Sequence, residues 1–171
     1  TNRGFIKDTH IPLAPLAPTA EAGPIINNQE YTSGFIVEVS LPSDALPNHI
    51  IKIYLGETEF ISDRLTAQQI SSGKYIFVVG IGTLGADGVK TFRARIIDHL
   101  DRISPLSDVL ILTLDTQAPT SPVISSVAAD NKINALEKQQ VVINGTSEMN
   151  SVVKISLTDQ ISTKSASVKL I

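Results

Sequence analysis

Short runs in which apolar residues alternate with polar ones recur along the chain up to about residue 114, separated by clusters of Gly, Pro, Ser and Asn. Alternation with a period of two is typical of a β-strand with one buried face, and the separating residues are typical of turns. In residues 89–98 the pattern places Phe92, Ala94 and Ile96 on the inner face and the arginines between them on the outer face. The same pattern predicts strands at residues 35–41, 49–55, 58–62, 75–80, 89–98 and 107–114.

Only one segment, residues 65–70, has a helical pattern, and it is too short to change the fold class. The predicted class is therefore all-β. About seven strands in roughly 105 residues is the strand count of an immunoglobulin-like β-sandwich.

An eight-residue motif, Asp-Thr-x-x-Pro-x-x-Pro, occurs at residues 8–15 and again 107 positions later, at residues 115–122. Similar apolar runs follow both copies, which supports an internal repeat of domain length. These runs lie at residues 35–39 and 51–53 after the first copy and at residues 141–144 and 153–155 after the second.

The two prolines of the motif hold the backbone extended and oppose helix formation, so each copy is predicted to be a stiff linker that leads into a domain. The predicted organisation is tandem. Residues 1–7 end a preceding module or linker, residues 8–114 form a complete sandwich, and residues 115–171 form an incomplete second sandwich.

Composition narrows the function classes. The formal net charge is −3 and the basic residues are scattered, which argues against nucleic acid as a partner. The chain has no cysteine, which excludes disulfides, thiol nucleophiles and zinc–thiolate sites. No apolar run is long enough for a membrane span, and residues 1–4 have no signal-peptide pattern, so we expect an internal fragment of a longer protein without membrane insertion.

Residues 92–119 resemble the end of a bacterial immunoglobulin-like repeat from giant surface adhesins. In such repeats a strand, an Asp-containing turn, a Ser-x-x-Ser step and a last strand lead into an Asp-Thr-x-x-Pro linker. Residues 124–148 are similar to the opening half of the same repeat. Two features depart from the family pattern: Asp101-Arg102 stand where Gly-Asn is usual, and the tryptophan often found in these repeats is missing.

The resemblance implies a secreted protein of the bacterial cell surface that acts in cell adhesion or biofilm formation. These repeats would be its spacers, and their partners would be neighbouring repeats and, through the parent protein, a host or surface ligand. It also implies calcium, which prefers several hard oxygen ligands. Asp44 and Asp87 would lie near such sites. The alternatives to calcium binding are that the aspartates have ordinary roles in turns or that Arg102 neutralises them. The expected calcium ligands are Asp8, Asp98, Asp101 and Asp115.

We expect no enzyme activity, because no catalytic motif occurs and His10, His49 and His99 are predicted to be surface loop residues. Two alternatives to the spacer remain. One is a domain that binds a glycan or a second copy of the adhesin, and the other is an accessory module of a secreted enzyme. Glycan binding commonly uses aromatic side chains, and the candidates are Tyr31, Tyr54, Tyr75 and Phe60.

Overall fold

The chain forms two compact units, Thr1–Gln117 and Ala118–Ile171. The exact bounds of the predicted domains, 8–114 and 115–171, remain predictions. The computed structural model describes residues 9–128, 130–136, 140–149, 151–158 and 163–169, and side chains are described as far as residue 156.

The regular elements of the first unit are mostly strands, with two six-residue helices between them. Among the described residues its elements are β1 (Thr19–Ala20), β2 (Ile25–Asn27), α1 (Asn28–Ser33), β3 (Phe35–Ser40), β4 (Ile50–Leu55), β5 (Thr58–Arg64), α2 (Ala67–Ser72), β6 (Lys74–Val79), β7 (Gly88–Ile97) and β8 (Leu110–Asp115).

These strands form two sheets, one ordered β1-β3-β6 and the other β2-β8-β7-β4-β5. All neighbours are antiparallel except β2 and β8, which run parallel. The chain pairs with β3 through β1, turns at Gly23, where φ is 90°, and joins the other sheet as β2. Strands β1 and β2 are thus two halves of the first strand of the sandwich, one in each sheet. Counting them separately gives eight strands where about seven were predicted. The predicted all-β, immunoglobulin-like sandwich is confirmed.

The core lies between the sheets and is filled by alternate residues of the central strands. Phe92, Ala94 and Ile96 have no exposed surface, as the alternation in β7 predicts. The Phe92 ring centroid lies 5.7 Å from that of Phe60 and 6.2 Å from that of Phe77. Aliphatic residues complete the core: Val37, Val39 and Val79 of the smaller sheet and Ile51, Ile53, Leu112 and Leu114 of the larger one.

The six predicted strands are all present, but β8 begins at Leu110 rather than at residue 107. The residues before it pair with β7 through both backbone and side-chain hydrogen bonds: the N–H groups of Ser104 and Ser107 donate to the carbonyl oxygens of Ile96 and Ala94. The Ile96 N–H donates to the Ser104 hydroxyl and the Ala94 N–H to the Ser107 hydroxyl, both at 2.9 Å. These two buried serines explain the Ser-x-x-Ser step, because each satisfies a backbone donor that would otherwise lack a ladder partner.

The predicted helical segment is α2, which begins two residues later than expected, after the capping residue Thr66. Helix α1 is not predicted from the sequence. Its cap is reciprocal: the Asn27 side chain accepts from the Glu30 N–H, and the Glu30 carboxylate accepts from the Asn27 N–H, both at 3.0 Å. The helix buries Tyr31, whose hydroxyl oxygen accepts from the Leu84 N–H at 2.9 Å.

Among its described residues, the second unit contains two antiparallel strand pairs. One joins β9 (Val123–Val127) to β10 (Ile143–Thr146), with a bulge at Asn144/Gly145, and the other joins β11 (Val152–Thr158) to β12 (Thr163–Lys169). Within the part of the chain that the structure describes, neither unit contains a helix long and apolar enough to cross a membrane.

We expect Phe92→Ala to lower the free energy of unfolding of the first unit by about 3–5 kcal/mol, because it leaves a cavity between the two sheets. Chemical denaturation followed by circular dichroism measures this change. Val89→Ala in the same strand is the control, since Val89 is 66% exposed. Equal effects of the two substitutions would contradict the assignment of Phe92 to the centre of the core.

Candidate functional site

Both copies of the Asp-Thr-x-x-Pro-x-x-Pro motif are held by a carboxylate from a loop of the unit that they lead into. In the second copy, Thr120 follows the first proline, and its N–H donates to Glu148 Oε2 at 2.9 Å. Glu148 lies in the loop between β10 and β11. This bond fixes the start of the second unit to one of its own loops.

The first copy makes the same contact. Leu13 follows Pro12, and its N–H donates to Asp44 Oδ2 at 2.9 Å. Asp44 lies in the loop between β3 and β4, which corresponds to the loop that carries Glu148. His10 Nε2 also lies 2.9 Å from Asp44 Oδ2. The sequence repeat is thus also a repeat of hydrogen bonding, and we call the bond to the residue after the first proline the linker latch.

Burial opposes ionisation of Asp44, but the hydrogen bonds from His10 and from the Leu13 N–H outweigh it. They hold the pKa of Asp44 below its ordinary value. The latch acceptor is therefore a carboxylate at neutral pH. A charged acceptor forms a stronger hydrogen bond with an amide than a neutral one does.

The end of the first unit is fixed in a similar way. Thr116, the second residue of the motif, donates from its N–H to Asp87 Oδ2 at 3.1 Å and from its hydroxyl to Asp87 Oδ1 at 2.8 Å. The side chain of Asp115 accepts from the Gln117 N–H at 3.2 Å, which is an ordinary Asx turn. Asp87 lies in the loop between β6 and β7, so this contact joins the end of β8 to that loop.

The turn after β7 is organised around Asp98, which is 6% exposed. Its Oδ1 accepts from the Leu100 N–H at 2.8 Å and from the Arg102 N–H at 3.0 Å. Its Oδ2 accepts from Arg102 Nε at 2.6 Å. Burial raises the pKa of Asp98, but the backbone and side-chain bonds from Arg102 and the bond from Leu100 outweigh it, so the net shift is downward.

The predicted calcium ligands fall into separate places. Asp98 and Asp101 share the turn after β7, Asp115 ends β8 at the opposite end of β7, and Asp8 lies outside the described residues. The Asp98 carboxylate already has a cationic partner in Arg102 and accepts from two amides, so its charge is balanced without a metal ion. Nowhere in the described ranges do three His, Asp or Glu side chains come together as metal ligands. The calcium set as a whole stays a prediction.

His49 is buried, contrary to the expectation that it lies on the surface. It is 5% exposed, because it directly precedes β4 and lies under the turn, where its ring stacks on that of His99 at a centroid distance of 6.2 Å. Its Nδ1 accepts from the Leu46 N–H at 3.3 Å, which leaves the ring proton on Nε2. Burial, together with His99, lowers the pKa of His49, and the charges of Asp98 and Asp44 oppose this shift only in part.

Comparison with known proteins finds similarity to solved structures only. No family model matches the chain, and no curated protein matches it. One similar structure is described as a Ca2+-stabilized adhesin that helps an Antarctic bacterium reach out and bind ice. It has a TM-score of 0.56 and 16% identity, over 95% of this chain and 40% of that chain.

A second similar structure concerns the host cell surface retention of a 1.5-MDa bacterial ice-binding adhesin. It has a TM-score of 0.53 and 12% identity, over 92% of this chain and 52% of that one. The chain thus spans about half or less of these two structures. At such identities the similarity shows a shared fold: this chain has the fold of domains found in bacterial adhesins.

We expect the first unit to lose stability as the pH falls below about 6.5, the ordinary pKa of histidine. The unfolded chain protonates His49 there while the folded chain keeps it neutral, so protons favour unfolding. Denaturation at pH 7.5 and 5.5 measures this, and His49→Gln should give a smaller difference. His10→Gln, which leaves His49 in place, is the control. An unchanged pH dependence in His49→Gln would refute the role of this histidine.

Proposed function

We propose that this chain belongs to an array of spacer domains in a large bacterial surface adhesin. The observation that carries the proposal is the linker latch, present in both copies of the motif with the same donor position and a carboxylate from the corresponding loop. A contact repeated in this way is what a chain of similar modules needs, since each module fixes the segment by which it is joined to the one before.

The similar structures support the same function. Both come from adhesins, one described as reaching out to bind ice and the other as retained at a cell surface. Those activities belong to those proteins. For this chain we propose the part that a spacer would have in such a molecule: an extracellular location, neighbouring repeats as partners, a role in cell adhesion or biofilm formation, and no catalysis.

The proposed mechanism is stiffening of the linker from both of its ends. Asp87 holds Thr116 within the first unit, and Glu148 holds Thr120 within the second. Three residues separate these two anchored positions, and one of them, Pro119, has a fixed φ. A short linker with few free dihedral angles restricts the orientations that two domains can adopt.

An accessory module of a secreted enzyme remains the alternative. The same latch would serve there to join the module to its neighbours. The sequence of the parent protein distinguishes the two functions: further Asp-Thr-x-x-Pro-x-x-Pro motifs at intervals of about 100 residues support the adhesin, and an adjoining catalytic domain supports the alternative.

We expect Asp87→Ala combined with Glu148→Ala to make the linker more mobile while both units stay folded. Hydrogen exchange of the Thr120 amide should become about tenfold faster or more, because it loses a charged acceptor. Small-angle scattering should show a broader distribution of distances. Asp108→Ala is the control, since it removes an exposed carboxylate of the first unit. Unchanged exchange and scattering in the double variant would contradict the proposed mechanism.

Calcium stiffening of the array is the finer part of the sequence prediction, and the described similarity to a Ca2+-stabilized adhesin is what supports it. The Asp98–Arg102 ion pair opposes it in the turn after β7, because the guanidinium already supplies a cation there. Calcium binding is therefore not part of the proposed latch mechanism, and a separate experiment tests it.

We expect the melting temperature of the first unit to be the same in calcium chloride and in EDTA. We also expect Arg102→Asn, which restores the residue usual in the resembling repeats, to lower it in EDTA by removing the partner of Asp98. Differential scanning calorimetry measures both. A higher melting temperature of the unsubstituted protein in calcium would instead support the calcium prediction and require ligands beyond the Asp98 turn.

A further inference from the structure

The outer face of the larger sheet carries two arginines that have no ion-pair partner among the described residues. Arg93 and Arg95 point away from the core on β7, alternating with Phe92, Ala94 and Ile96. Among the residues that the structure describes, neither arginine forms an ion pair, and the buried Nε of Arg95 has no hydrogen-bond acceptor. The nearby Lys52 is different, because its ammonium group pairs with Glu59.

Tyr54 holds one of these arginines in place. It lies opposite Arg93 in the pairing of β4 with β7, and the Arg95 guanidinium carbon lies 4.7 Å from the centre of its ring. Stacking on an aromatic face orients a guanidinium group without using its N–H donors. The arginine is thus fixed in position while the terminal N–H groups of its guanidinium, unlike the buried Nε, remain available to a ligand.

These residues line a groove of about 300 Å³, which we call the Tyr54 groove. That volume is at the small end of the range for ligand sites. Besides the two arginines and Tyr54, the groove has the hydroxyl of Thr91, the carboxylate of Glu57 and the apolar side chain of Ile111, which is 56% exposed.

The charges in the groove select the kind of ligand. Two guanidinium groups and one carboxylate leave a net charge of about +1, which suits a ligand with a single negative charge and opposes a polyanion. Glu57 can only accept hydrogen bonds when it is ionised, so it favours a ligand that also carries hydroxyl donors. Ile111 provides an apolar contact for the carbon face of a ring.

A sugar acid has all three properties: one carboxylate, several hydroxyl groups and an apolar ring face. We infer that the Tyr54 groove is a binding site for an acidic saccharide, with the ligand carboxylate at Arg93 and Arg95, its hydroxyls toward Glu57 and Thr91, and its ring against Ile111. The site gives the chain a binding function of its own, independent of the spacer function.

Among the four aromatic candidates from the sequence, only Tyr54 lines the groove. Tyr31 and Tyr75 are buried, at 6% and 4% exposure, and Phe60 packs against the core phenylalanines. Burial therefore removes Tyr31 and Tyr75 from the candidate glycan-binding residues. Tyr54 acts in the inferred site through Arg95, as a positioning residue, because its ring face is covered by the guanidinium group.

The test is a titration of the 15N-labelled protein, followed by two-dimensional NMR, with three probes. Methyl glucuronide has the carboxylate and the ring, methyl glucoside has the same ring without the carboxylate, and acetate has the carboxylate alone. We expect saturable shifts of the amides of residues 54, 91, 93, 95 and 111 with the glucuronide, and binding at least tenfold weaker with the other two probes.

Three variants assign the contacts. Arg95→Gln should weaken glucuronide binding tenfold or more, and Arg64→Gln, which removes one positive charge from β5 outside the groove, should leave it within twofold. Glu57→Leu should weaken glucuronide binding while it strengthens that of acetate, because it removes both a hydroxyl acceptor and a repelling charge. The dispersion of each spectrum shows whether the variant is folded.

Four results would overturn the inference. These are the absence of saturable shifts in the groove, equal binding of glucuronide and glucoside, glucuronide binding that Arg95→Gln leaves unchanged, and acetate binding as tight as that of the glucuronide. The last result would identify a general carboxylate site, which a protein or peptide carboxylate could occupy, and would exclude the saccharide.

Discussion

The first unit depends on one packing constraint: alternate residues of its central strands must fill the space between two sheets with very few large side chains. The chain has no tryptophan and five phenylalanines, and three of these, Phe60, Phe77 and Phe92, meet in the core. Valine, isoleucine and leucine fill the remainder. Because the core uses only one face of each strand, the other face of the larger sheet is left for polar groups, and the Tyr54 groove lies there.

The same constraint decides which parts of the fold the sequence could predict. Strands β3 to β8 are long enough for alternation to repeat, and it places Phe92, Ala94 and Ile96 correctly. Strands β1 and β2, with two and three residues, are too short to show a period. Their positions depend on pairing with β3 and β8, which are distant in sequence. The single local signal for α1 was the capping pair Asn27 and Glu30, and a six-residue helix adds no periodicity to it.

The candidate site shows a different limit of sequence analysis. The sequence correctly indicated that Asp44, Asp87 and Asp98 belong to loops at the ends of the sandwich, but it could not show what each carboxylate binds. A calcium ion, an arginine and a backbone amide all suit a carboxylate, and only distances distinguish them. Arg102 is the exception, because an arginine where the resembling repeats have asparagine already indicated neutralisation as an alternative, and the structure shows the Asp98–Arg102 ion pair. Glu148 was missed because its loop differs in length from that of Asp44.

The parallel pairing of β2 with β8 determines how this sheet responds to tension between its first and last strands. The chain enters the larger sheet through β2 and leaves it through β8, and since the two strands run in the same direction, tension between the two ends slides them past each other lengthwise. The ladder bonds of residues 25–27 with 113–115, and the further bond from the Thr113 N–H to the Pro24 carbonyl oxygen, must then break together rather than one at a time. An antiparallel terminal pair would open like a zipper. Because the first strand is divided between two sheets, its second half, β2, lies parallel to β8, and tension loads this pair in shear.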